Sequence, residues 1–308
     1  MDANNETLGR QTVKLRAGGY SANTQIFAPP TAALLSSGAI DPASVVTARF
    51  EVTYNGFSEE AKRAFQAAVD VWSITLDTNV PIRINATWTE LDPGVLGQAG
   101  AEDFRRNFTG APVANVWYPI ALANKIGGND LTPGAPHIGA EFNSNFDNWF
   151  FGIDGNTPSD RYDLMSVVLH EIGHGLGFLG SMTVENGRGR WGAGTNAPII
   201  YDRFVENNLG QKLLNTALFP NNSTQLAGQL QSSRLFFNGP RSRIANGNNP
   251  VPVYAPIVWD GGSSFSHLNE STFTSGNVNS LMTPQIGMGE SIHTAGPIGL
   301  GVLRDLGW

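Results

Sequence analysis

Residues 169–181 read LHEIGHGLGFLGS, two histidines and a glutamate within five positions, followed by a glycine-rich run. On a helix His170 and His174 stand one turn apart on the same face. Their ring nitrogens can then meet one zinc ion at about 2.0–2.1 Å. Glu171 lies roughly 100° further around the helix, close to the metal without ligating it. A carboxylate so placed can take a proton from a metal-activated water and pass it to a leaving amine. A lone helical histidine is ordinarily a surface or core residue. Here Leu164, Met165, Val168, Leu169 and Ile172 add an apolar stripe at helical spacing. The helix is expected to start near Thr157-Pro158, with Asp160 completing a capping-box-like arrangement.

Gly177 follows three residues after His174, where a positive φ would end the helix abruptly. Beyond it a third ligand is missing. Gly180 has no side chain, and Ser181, Met182 and Thr183 are poor zinc ligands. The chain contains no cysteine, so thiolate sites, disulfides and cysteine nucleophiles are excluded. The remaining histidines are His137, His267 and His293, and an acidic residue is the other option.

The run H-E-x-x-H-x-x-G resembles the metzincin metalloproteases, most of which carry a third histidine at the position of Gly180. The leishmanolysin-like branch separates that histidine from the helix by a long insertion and follows it with a methionine turn. Here His170, Glu171, His174 and Gly177 are followed by a long segment, then His267 in SSFSHLNE, then Met282 in NSLMTPQ. The resemblance spans residues 164–180 and 264–308. It implies His170, His174 and His267 as zinc ligands, Glu171 as general base and Met282 as the methionine turn. The absence of cysteine departs from the disulfide-rich eukaryotic members and suits a bacterial-type relative. The class implies a secreted zinc-dependent endopeptidase acting on polypeptides.

Around this motif the 308 residues read as an α/β (α+β) catalytic domain of two lobes. Residues 1–45 are expected to be an irregular leader, a strap or a propeptide remnant. Residues 46–177 would form the upper lobe, and residues 178–308 the lower lobe with the insertion, third ligand and methionine turn. Strands are expected over 48–54, 81–88, within 114–124 and over 137–143, and a helix from Ser58 buries Ala61, Phe65, Ala68 and Trp72. In the lower lobe 197–215 reads as a helix, RLFFNG and VPVYAPIVW as strands, and GPIGLGVLRDLGW as a final helix. Residues 137–143 are the expected edge strand for a peptide substrate, which would bring His137, Gly139 and Glu141 to the cleft, with His293 lining the pocket.

Two rival readings stand beside this. In a gluzincin-type hydrolase the third ligand is an acid on a following helix, offered by Asp202 and Glu206. A non-enzymatic binding or adhesion protein would keep zinc for structure alone. Asn143, Asn145, Asp147, Asp154, Asn156 and Asp160 could supply oxygen ligands for calcium, although no EF-hand spacing is present. A net charge of −7 without a basic block argues against nucleic acid, and no apolar run is long enough to span a bilayer.

Overall fold

The structure, a computed structural model, describes residues 8–308. Its frame is a mixed α/β arrangement around a six-stranded sheet. The strands are β1 (Val13–Ile26), β2 (Ala48–Asn55), β3 (Thr78–Thr89), β4 (Val95–Ala101), β5 (Ile138–Asn143) and β6 (Gln285–Ile292), in the order β6-β1-β4-β5-β3-β2. Strand β4 runs antiparallel to both neighbours, and the other pairings are parallel. Four helices frame the site: α1 (Glu59–Ser73), α2 (Ile120–Gly127), α3 (Leu164–Gly175) and α4 (Gly296–Leu306). Three shorter ones, Pro30–Ser36, Thr224–Leu230 and Pro240–Ala245, bring the described total to seven. None is long and apolar enough to cross a membrane.

The unit β2-α1-β3 is a parallel crossover of the kind an amphipathic helix allows. Ser58 caps α1 by accepting the Ala61 amide at 3.2 Å, and Ala61, Phe65, Ala68 and Trp72 are all buried, as their spacing predicts. Phe57, Phe65 and Phe142 form edge-to-face pairs with centroids 5.7–5.9 Å apart. Helix α1 packs on α3, and the Trp72 indole donates to the Leu169 carbonyl at 3.2 Å.

Several elements differ from the sequence reading. The leader is not irregular where it is described: Val13–Ile26 is a long strand of the main sheet, while residues 1–7 lie outside the described residues. Helix α3 begins at Leu164, not near Thr157. The Pro158–Arg161 turn closes on itself at 3.0 Å, Tyr162–Asp163 pairs with Trp149–Phe150, and Asp163 is the cap. Within 114–124 only Tyr118–Pro119 is strand, and Ile120 opens α2. The stretch 197–215 is a 3-10 turn, Ile200–Phe204, followed by the short strand Val205–Asn207. The latter pairs with Leu235–Phe237, which pairs with Val251–Val253. Buried Asp202 draws in the Ile199 and Ser181 amides at 2.9 and 2.8 Å and so fixes a turn in place of a helix.

The most consequential difference concerns the sheet edge. Strand β5 is interior, hydrogen-bonded to β3 on one side and β4 on the other, so residues 137–143 offer no free edge. Strand β4, sequence VLGQAGA, lies between β5 and β1 and is interior as well. Its glycines obscure it as a strand, yet they serve close approach: a Cβ on Gly97 would meet the Glu171 carboxylate at 3.0 Å.

Asp163 is fully buried at the start of α3, where it accepts the Ser166 amide at 3.0 Å and holds His293 Nε2 at 2.6 Å. Replacing Asp163 with Ala removes the cap and strands a buried imidazole, at a cost of roughly 2–4 kcal/mol. Ser58→Ala, which removes a cap alone, should cost about 1 kcal/mol. Urea denaturation of the two variants checks this order.

Candidate metal centre

Three segments far apart in sequence converge beneath β4. Helix α3 supplies His170 and His174. Glycines within it admit its neighbours: a Cβ on Gly173 would stand 2.9 Å from Met282 Sδ, and one on Gly175 would stand 2.3 Å from Ile138. The helix ends as Gly177 takes φ +119°, and the Phe178 amide returns to the Gly173 carbonyl at 3.1 Å. That turn sets the Phe178 carbonyl against His174 Nδ1 at 2.7 Å.

The chain then leaves and returns 93 residues after His174 as His267. Phe265, two residues before, is fully buried and holds the left-handed φ of +73°, a conformation that costs a non-glycine residue energy and persists only under firm packing. Gly180 provides that packing: a Cβ there would strike the Phe265 ring at 2.2 Å, and the Gly180 amide donates to Ser266 Oγ at 3.1 Å. Gly180, unable to ligate, is instead the floor on which the His267 loop rests. Met282 ends the short Ser280–Met282 turn, with its carbonyl accepting the Leu268 amide at 2.8 Å.

The three imidazoles are at most 1% exposed. Their Nδ1 atoms face backbone carbonyls: His170 to Leu281 at 2.5 Å, His174 to Phe178 at 2.7 Å and His267 to Ser263 at 2.7 Å. A carbonyl only accepts, so each Nδ1 carries the ring proton and each Nε2 presents a lone pair. The Nε2 atoms lie 2.9, 3.2 and 3.2 Å from one another. Tetrahedral ligands at about 2.0–2.1 Å from zinc would be roughly 3.3 Å apart. Three facing lone pairs with no proton to share are the donor set of a cation, and the cluster could hold a metal ion such as zinc. Burial holds all three rings well towards the neutral form, His267 down to about 4.

Glu171 is also fully buried, beside Gly97 of β4. Burial pushes its carboxyl well above the usual range, and the Leu15 amide and Arg10 only partly offset this. Neither carboxylate oxygen has a hydrogen-bond partner of normal geometry. A buried carboxyl without a well-formed hydrogen bond beside three convergent imidazoles is costly to keep.

The other candidates lie elsewhere. His137 is buried among Arg83, Asn124 and Asp130. Gly139 faces the Arg10–Glu102 pair, and Glu141 binds Arg10 at 3.1 Å and Gln98. Alternation puts Gly139 and Glu141 on the sheet face away from α3, which Ile138, Ala140 and Phe142 cover. His293 serves Asp163, not the cluster. Glu206 sits on a strand, not a helix, engaged with Lys212 at 2.9 Å and Asn238 at 2.6 Å, so the carboxylate alternative for the third ligand fails. Among the described residues, His170, His174 and His267 are the group of three or more His, Asp or Glu that comes together. Of the calcium candidates, Asp154 accepts from its own turn through Asn156, and Asn143 tethers the Leu91 amide and the Val95 carbonyl. Sequence reasoning missed β4 and the three orienting carbonyls; the carbonyls carry no side-chain signal, and β4 is masked by glycine. Comparison with protein-family models, with curated proteins and with solved structures finds no match for this chain.

Two outcomes are expected. His267→Ala should lose most of its zinc affinity in an equilibrium titration, whereas Glu206→Ala and His293→Ala should keep it. The metal-free protein should also be acid-labile. Unfolded histidine titrates near 6.5 and buried His267 near 4, so the unfolded chain binds more protons below 6.5. Stability should therefore be complete above that pH and fall progressively towards 4, by roughly 3 kcal/mol from His267 alone. Urea midpoints across this window, flat where a decline is expected, would contradict the assignment.

Proposed function

We propose that the chain is a zinc-dependent endopeptidase of metzincin type, closest in layout to the leishmanolysin-like branch. The observation that carries this reading is Glu171: buried, unpaired, and adjacent in sequence to His170 of the three-histidine cluster. A structural zinc site is ordinarily closed by four protein ligands and has no need of a free carboxylate.

In this reading His170, His174 and His267 hold the ion through Nε2, each aimed by the backbone carbonyl on its Nδ1. Bound zinc would supply a Lewis acid that polarises the scissile carbonyl and acidifies a water molecule. Glu171 would accept a proton from the attacking water on a carboxylate oxygen and deliver it to the amine nitrogen, as the water oxygen bonds to the carbonyl carbon and the C–N bond breaks. Met282, 2% exposed against Gly173, sets the floor under the two helical histidines. The side of β4 that the start of β1 covers would give an extended peptide a backbone to pair with, and its face at Gly97 leads to Glu171. Residues 46–177, joined in the main sheet by β1 and β6, then act as the upper lobe and the rest of residues 178–308 as the lower, with the cluster between.

Glu171→Gln keeps the size of the side chain and removes the base. Turnover of a quenched fluorescent peptide should fall by about 10²–10⁴-fold while one zinc per chain is retained. Wild-type turnover should vanish with a strong chelator and return with zinc. Undiminished turnover by zinc-loaded Glu171→Gln would refute the role.

A further inference from the structure

A cluster that acts on peptides needs a way in, yet among the described residues its three imidazoles are at most 1% exposed. The covering element is the start of β1. Its residues Val13, Lys14, Leu15 and Arg16 pair antiparallel with Ala99, Gln98, Gly97 and Val95 of β4. On their other side the Lys14 amide donates to the Gly262 carbonyl at 2.8 Å, and the Arg16 amide to the Pro284 carbonyl at 3.0 Å. Gly262 adjoins Ser263, whose carbonyl orients His267, and Pro284 follows the Met282 turn. The stretch thus runs between the β4 edge and the two segments that finish the metal centre, with backbone bonds to both. Leu15, 2% exposed, stands opposite Gly97, the residue lying against Glu171. Lys14 and Arg16 point to the other face and hold Asp92 and Asp260, each at 2.8 Å.

This is the posture of a peptide laid in a cleft. We infer that residues 13–16 are an internal pseudosubstrate, filling the groove between β4 and the His267 and Met282 segments and holding the centre latent until displaced. The inference rests on the peptidase reading for what the groove does. It also names the peptides the groove prefers: extended, with an apolar residue facing Glu171 between two basic residues that meet Asp92 and Asp260.

Two full-length variants test it without touching the histidines or Glu171. A Cβ on Gly100 would stand 1.7 Å from the Gln11 carbonyl oxygen, so Gly100→Ala must push the segment off β4. Lys14→Glu with Arg16→Glu turns both ion pairs into repulsions. Hydrogen exchange of the β4 amides, the rate at which a chelator strips bound zinc, peptide turnover and thermal melting are measured on each. Both variants should melt cooperatively, exchange the β4 amides and release zinc at least about tenfold faster than wild type, and gain turnover in step. A synthetic peptide of residues 11–18 should inhibit the opened variants, and its Leu15→Asp counterpart should not. Zinc release and β4 exchange at the wild-type rate in both folded variants would overturn the inference. So would loss of cooperative melting in both, since the segment would then be an indispensable core strand. Faster zinc release and exchange without any turnover would leave the cover standing and refute the peptidase reading.

Discussion

Three buried imidazoles turned lone pair to lone pair are the constraint on which the rest of the molecule depends. Each ring alone would be a tolerable buried histidine, since a backbone carbonyl takes its Nδ1 proton. Together they present Nε2 lone pairs about 3 Å apart with no proton between them, an arrangement that could hold a cation. The surrounding architecture serves that arrangement. Gly173 makes room for Met282, Gly180 makes room for Phe265, and Phe265 accepts an unfavourable backbone conformation to deliver His267. Small residues on one side of each contact and large ones on the other set the spacing of the ligands.

Glu171 adds a second constraint. A carboxyl without a well-formed hydrogen bond in an apolar interior is destabilising. The cost is borne by the packing around it: α3 lies between α1 and the sheet, tied to α1 by the Trp72 indole and to β6 through Ser166 Oγ, which accepts the Ile292 amide at 2.7 Å. The helix that carries the site is therefore among the most firmly held parts of the fold, as a preorganised site demands.

The parts legible in sequence are those where one side chain carries the signal. Spacing gave the histidines of α3, the amphipathic face of α1 and the crossover around it, and the order of motifs gave His267 as a partner. What escaped depends on backbone or on distant partners. Strand β4 hides behind Gly97 and Gly100, whose missing side chains matter only because Glu171 and Gln11 press against them. The segment 197–215 has a helical pattern, but strand pairing at Val205–Asn207 and the demands of buried Asp202 override it. Interior placement of β5 follows from β4 and from β1 beyond it, so two unrecognised strands removed the expected edge and displaced His137, Gly139 and Glu141 from the cleft.

The excursion between His174 and His267 has a consequence for how the chain folds. A tie between residues this far apart closes a loop of about ninety residues, and the entropy of that closure must be met before the contact rewards it. In a chain with no cysteine no disulfide can make the tie, so an ion shared by the two histidines would be the covalent-like staple of the lower half. A cross-link of that span removes on the order of 4–5 kcal/mol of freedom from the unfolded chain. Metal supply would then govern not only what the folded chain can do but how quickly, and how completely, its excursion is gathered in.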